Sequence, residues 1–334
     1  ATQHFEEFSQ RLSPLGVRVA LLTSNTKKKE RSELLKRVES GEIDVLIGTH
    51  SVLSPDIQFK NLGMTIIDEE HKFGTRQKEL MEELDKLGAH HISMTATPIP
   101  RSYALTVYGT AVNIITIPDM PKGRKTVETQ HIQKMEEALE KIYQEVQKGH
   151  QGYMVVPFVE DSESLKTVAS VASTVAAAED YYAKHHPGMR VGSISGAMKQ
   201  ADILKTVEAF AAGQFDLLIS TTIVEVGVNV PNATMIAILN ADRFGLAALH
   251  QLRGRVGRKG DQGYCLLVSE KDTQRLDILC TCHNGFEIAE QDMKLRGPGD
   301  LIGEKQSGDG SAAAIQAILS HPKLAASIRN FLVM

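Results

Sequence analysis

Several things are scarce or missing in this 334-residue sequence, and each narrows what it can be. No apolar run approaches the roughly 20 residues that a membrane span needs, and no signal-peptide pattern opens the chain. Cysteine is rare: Cys265, Cys280 and Cys282 form an odd set without a paired C-x-x-C spacing, which argues against a disulfide framework and for free thiols in the cytoplasm. The pairs His90-His91 and His185-His186 lack cysteine or acidic partners at metal spacing, so no zinc site is assigned. Basic charge is not in excess either. The net charge is −4, so any contact with nucleic acid must use local basic patches. Finally, the chain contains no Gly-Lys dipeptide, and therefore no Gly-x-x-x-x-Gly-Lys-Ser/Thr phosphate loop.

What is present is ordinary in bulk, with 42% hydrophobic and 23% charged residues, and long enough for two domains. The chain starts at Ala1 within a stretch, Thr2 to Leu12, that reads as a helix, which suggests a piece of a longer polypeptide. It also repeats itself. Gly16-Val-Arg-Val19 returns as Gly188-Met-Arg-Val191, and Gly41-x-x-Asp44-x-Leu46-Ile47-x-Thr49 returns as Gly213-x-x-Asp216-x-Leu218-Ile219-x-Thr221. The offset is 172 in both cases (188 minus 16, 213 minus 41), with no gap. Each copy reads as strand, polar turn, amphipathic helix, tight glycine turn and buried strand, so the expected fold is α/β with two parallel sheets covered by helices. Pro118 to Arg124, rich in proline, glycine and charge, is the expected hinge. The expected division is a first lobe over residues 1–120, a hinge over 121–129, a second lobe over 130–270, a helical segment and loop over 271–308, and a C-terminal segment over 309–334.

Met64 to His71 organises the first lobe. The β-branched run Thr65-Ile66-Ile67 ends in Asp68-Glu69-Glu70, and acids crowded at the carboxyl end of a buried strand face a cation or water. Mg²⁺ bound to nucleotide phosphates suits them, with Asp68 holding the metal and Glu69 orienting or deprotonating the attacking water. A solvated helix start is the alternative. Thr49 and His50 end one repeated strand and Thr221-Thr222 the other, where hydroxyls and free N–H groups suit phosphate oxygens, or simply cap turns. Gly227 permits close backbone approach, and Asn229 could hydrogen-bond a ribose hydroxyl. His250-Gln251-Leu252-Arg253-Gly254-Arg255-Val256-Gly257-Arg258 is the sharpest motif: its arginine forks match phosphate oxygens and can stabilise charge developing on a transferring phosphoryl group, with Gln251 adding a hydrogen bond. Lys27-Lys28-Lys29 and Lys122-Gly123-Arg124-Lys125 read as solvated loop charges. Phe286 to Leu295 reads as an amphipathic helix ended by Arg296-Gly297-Pro298-Gly299.

With these motifs in order, the chain resembles the superfamily 2 helicases, and among them the RecG family, which remodels branched DNA. The residues that carry the resemblance are Gly48-Thr49-His50, Asp68-Glu69-Glu70-His71, Thr95 to Arg101, Thr221 to Val230, Gln251 to Arg258, Arg296 to Gly299 and Gln306-Ser307-Gly308; it runs to about residue 308. It implies two RecA-like lobes, the first incomplete, followed by a helical hairpin and loop. It further implies ATP with Mg²⁺ as cofactors and forked or branched DNA as partner. Asp68 and Glu69 match the family's metal-binding and water-activating acids, and His71 its coupling histidine. Thr95 and Thr97 match the motif linking hydrolysis to strand movement. Gln251, Arg255 and Arg258 match the residues that approach ATP from the second lobe. Thr49, His50 and Thr222 match positions near the DNA backbone, and Arg275, Arg296 and Gln306 match the translocation motif. Glu70 and Lys72 depart from the Gln and Arg usual in RecG, and Glu70 is what the transcription-repair coupling translocase carries. A coupling-type duplex translocase and a non-catalytic DNA-binding fragment therefore stand as alternatives. Because the phosphate loop lies upstream in the family, the chain alone is expected to hydrolyse little ATP.

Overall fold

The computed structural model describes residues 1–69, 88–95, 113–117, 123–157, 170–221, 230–258 and 260–296. The chain divides into two compact units, Ala1–Ala96 and Thr97–Met334.

The first unit opens with helix α1 (Thr2–Leu12), followed by strand β1 (Val19–Leu22), helix α2 (Lys28–Glu39) and strand β2 (Val45–Gly48). Strands β1 and β2 pair in parallel, Val19 opposite Val45 through Leu22 opposite Gly48. Leu34 and Val38, one helical turn apart on α2, pack with Leu22 and Ile57 into a small core. Gly48 is required by close approach: a Cβ there would stand 2.2 Å from the Leu22 carbonyl oxygen and 2.3 Å from Val52 Cγ1. Strands β3 (Met64–Asp68) and β4 (His90–Met94) form a second parallel pair, with Asp68 opposite Met94.

The second unit contains a six-stranded parallel sheet. Its strands are β5 (Glu128–Ile132), β6 (Gln151–Val155), β7 (Val191–Ile194), β8 (Leu217–Ser220), β9 (Ala233–Leu239) and β10 (Tyr264–Val268), in the order β5-β10-β9-β6-β8-β7. Strand β9 is buried at every position, the pattern of a central strand covered on both faces. Alternate residues supply two apolar clusters: Ile236 and Ile238 join one, Met235 and Ala237 the other. The covering helices are α3 (Met135–Gln147), α4 (Val171–His185), α5 (Gln200–Ala211), α6 (Leu246–Arg253), α7 (Gln274–Thr281) and α8 (Gly285–Arg296). The last two form a helical hairpin that packs on α6.

The sequence repeat is a structural repeat. Strands β1 and β2 and helix α2 have counterparts in β7, β8 and α5 whose first and last residues are all displaced by 172 (191 minus 19, 200 minus 28, 217 minus 45). Even the clamp that ties each strand to the next is duplicated. Arg18 donates from its backbone N and Nε to Asp44 Oδ2, each at 2.8 Å, and from Nη2 to Oδ1 at 2.9 Å. Arg190 and Asp216 repeat the same three bonds at 2.9, 3.0 and 2.5 Å. The fork geometry fixes the start of one strand against the start of its neighbour. Gly41 and Gly213, at φ 76° and 75°, make the equivalent left-handed turns before these strands.

Candidate functional site

In the first unit the parallel register of β3 and β4 brings two predicted motifs together at adjacent strand ends. Glu69 follows β3 and donates its backbone N–H to the Met94 carbonyl at 2.9 Å, extending the ladder by one residue. The Thr95 hydroxyl, one residue beyond β4, donates to Glu69 Oε2 at 3.5 Å. Glu69 has φ 56°, a left-handed conformation costly for a residue with a Cβ, held here by the ladder bond. Such strain at an acid between exposed Asp68 and Thr95 is the kind found where a side chain must be aimed. Asp68 is exposed at the strand end. One hard, accessible carboxylate fits a magnesium ion that is held mainly by water and nucleotide phosphates rather than by a protein cage. At the end of β2, Thr49 leads a short 3₁₀ turn (His50–Leu53), with its Oγ1 3.3 Å from Ser51 Oγ. His71, Thr97, Thr222, Gly227, Asn229 and Gln306 lie outside the described residues, as does the side chain of Arg296.

In the second unit the arginine motif starts on α6, where Leu246, Leu249 and Leu252 are buried in the core. Gly254 caps the helix, and Gly257, at φ 68°, turns the chain where a Cβ would meet Gly263 backbone atoms at 3.1 Å. The three arginines then part company. Arg253, expected to fork onto phosphate, is buried and structural. Its Nη1 donates to the carbonyls of Leu279 and Cys282 at 2.8 Å each, and Nη2 donates to His250 Nδ1 at 3.0 Å. It thereby satisfies carbonyls at the carboxyl end of α7, a natural seat for a cation. Burial, then the charges of Arg253 and Arg124, draws the His250 pKa down to about 4.

Arg255 and Arg258, by contrast, follow the helix and converge electrostatically. Partial desolvation of the Arg258 guanidinium, followed by the like charges of Arg255 and Arg124, lowers its pKa. The buried Tyr153 hydroxyl on β6 feels both Arg258 and Arg255, although burial dominates and pushes it up to about 12. Crowded guanidinium groups favour an anion between them. Gln251 sits half-buried on α6. Arg275, at the start of α7, donates to the carbonyls of Phe244 at 3.2 Å and Asp242 at 3.3 Å, which ties the hairpin to the loop before α6. Sequence patterning misses Tyr153 and Arg124. Tyr153 stands in no motif and Arg124 reads only as a loop charge, whereas the fold brings both within electrostatic reach of Arg258.

Family models match in chain order: the DEAD/DEAH box helicase over residues 1–105, the helicase conserved C-terminal domain over 130–260, and the C-terminal part of domain 3 of the ATP-dependent DNA helicase RecG over 282–331. The chain is 41% identical over 314 residues to the ATP-dependent DNA helicase RecG of Staphylococcus epidermidis, covering 92% of this chain and 45% of that protein. The chain belongs to the RecG helicase family. RecG of Aquifex aeolicus is 43% identical over 321 residues, 92% of this chain and 39% of its own. The solved structure of RecG bound to a three-way DNA junction superposes with a TM-score of 0.71 at 36% identity, covering 97% of this chain and 42% of that one. The chain thus spans less than half the length of the relatives it matches. Its RecA-like helicase domains are those of the family. One expectation changes: the resemblance extends through residue 331 rather than ending near 308.

Proposed function

We propose that the chain is the motor segment of an ATP-dependent DNA helicase acting on branched DNA, such as replication forks and Holliday junctions, in repair and recombination in the cytoplasm. The observation that carries this conclusion is the contact from Thr95 to Glu69. It ties the acid that would handle the attacking water to the segment that would pass the event on to DNA. The names of the relatives, and the junction-bound RecG structure, support the choice of substrate.

In this account Asp68 holds Mg²⁺ through the nucleotide, and the metal supplies neutralisation of phosphate charge when bound. Glu69 orients or deprotonates water. Arg255 and Arg258 stabilise charge developing on the transferring group, with Gln251 holding the nucleotide and Gly227 and Asn229 beside it. His71, Thr95 and Thr97 couple the two events, Thr49, His50 and Thr222 grip the DNA backbone, and Arg275, Arg296 and Gln306 form the translocation element. The first lobe takes residues 1–120, the hinge 121–129, the second lobe 130–270, the translocation hairpin and loop 271–308, and a C-terminal segment 309–334.

The missing Gly-Lys favours a second possibility for the chain in isolation, a DNA-binding segment with little turnover of its own. Phosphate release on forked DNA, compared between this chain and a version extended upstream to the family's length, decides between them. The extended protein is expected to turn over ATP in response to forked DNA and the short chain to turn over slowly. An inactive extended protein would refute the motor assignment.

A further inference from the structure

Arg124 does not behave as a loop charge. It is half-buried, and its Nη2 donates to the Gly254 carbonyl at 3.0 Å, across 130 residues of sequence. The same carbonyl accepts from Arg258 Nε at 3.3 Å. Gly254 caps α6, so its carbonyl is one of the acceptors that a helix end leaves for outside donors. The contact is part of a longer seam. Glu128 N–H donates to the Gly263 carbonyl at 2.9 Å, and Gln262 Nε2 donates to the Thr126 carbonyl at 2.8 Å. The Gly123 carbonyl lies 3.2 Å from where a Cβ on Gly260 would stand. Residues 123–128 therefore run along the arginine loop from Gly254 to Gly263.

We propose that Arg124 is a positioning residue for Arg258: it pins the Gly254 carbonyl on which Arg258 Nε is anchored, and so sets where the Arg258 guanidinium stands. The two donors share one acceptor, so the position of that carbonyl bears on both. A long flexible side chain anchored at Nε loses rotamer freedom before any anion arrives, which lowers the entropic cost of using it in a transition state.

This inference rests on Arg258 serving ATP hydrolysis, and the experiment separates the two. DNA-stimulated hydrolysis is measured against ATP concentration for the full-length protein and for R124Q, R124K and R258A, with thermal unfolding of each. Loss of a positioning hydrogen bond is expected to lower kcat about tenfold in R124Q, with KM for ATP and the unfolding temperature little changed. R124K, which keeps one donor and the charge, is expected to recover most of that loss. Should R124Q not fold, R124K carries the test through its kcat-to-KM split: a modest fall in kcat at constant KM supports the proposal, and a rise in KM at constant kcat overturns it. R124Q with wild-type kcat, while R258A is inactive, overturns the positioning role alone. R258A with wild-type kcat overturns the motor assignment instead.

Discussion

Replacing Arg253 with Met tests whether this buried arginine is structural rather than phosphate-gripping. Met keeps much of the buried hydrocarbon volume but removes the donors that reach the Leu279 and Cys282 carbonyls at 2.8 Å and His250 Nδ1 at 3.0 Å. Each buried acceptor left unsatisfied costs about 1–3 kcal/mol. Removing a buried charge returns part of this, because Arg253 is 4% exposed and burial already lowers its pKa. The net loss should be about 3 kcal/mol, a large share of the roughly 5–15 kcal/mol that holds a domain folded. Urea titration followed by circular dichroism reads the shift in midpoint, and amide exchange over residues 274–296 reads whether the hairpin α7–α8 opens first. A phosphate-gripping Arg253 would give the opposite pattern, with stability unchanged and KM for ATP raised. A loss below about 1 kcal/mol with unchanged protection of the hairpin would refute the structural assignment.

Two further outcomes follow from the same packing. His250 accepts from Arg253 and is held neutral, with a pKa of about 4, below the roughly 6.5 of the unfolded chain. Its contribution is complete above about pH 6.5 and is lost as pH falls toward 4, at up to about 1.4 kcal/mol per unit, or about 2 kcal/mol by pH 5. Urea titrations of wild type and His250→Gln at pH 7 and pH 5 test this, since the variant should lose that part of the acid slope. Gly48→Ala should destabilise the first unit by about 1–3 kcal/mol, because the new methyl meets the Leu22 carbonyl at 2.2 Å. Gly63→Ala, with nothing within 4 Å, is the control, and equal losses in thermal unfolding would contradict the packing argument.

Much of the architecture is legible in the chain because it is written locally. Apolar Leu35 and Val38 and the glycine turn at Gly41 recur at the fixed offset as Val207, Phe210 and Gly213, and β1, α2 and β2 recur as β7, α5 and β8. Helix α1 and the Phe286 to Leu295 helix follow from periodicity alone, the latter observed as Gly285–Arg296. The acidic strand end is equally legible, since a β-branched run ending in carboxylates has few uses. What is not legible is pairing between distant side chains. Arg253 and Arg255 are alike in sequence, yet one is buried against helix carbonyls and the other follows the helix end into the loop. Arg124 reads as a solvated charge until β5 and β10 pair and bring its segment to Gly254. The left-handed Glu69 is also invisible in sequence, because its conformation is imposed by the Met94 carbonyl on the neighbouring strand.

Glu69 and Arg258 are both proposed to serve ATP hydrolysis. The most direct measurement is DNA-stimulated ATP hydrolysis by Glu69→Gln and Arg258→Ala in the full-length protein, with DNA affinity measured alongside. Either change is expected to lower kcat by about a hundredfold or more while forked DNA still binds. Hydrolysis at the wild-type rate in either variant would contradict the proposal.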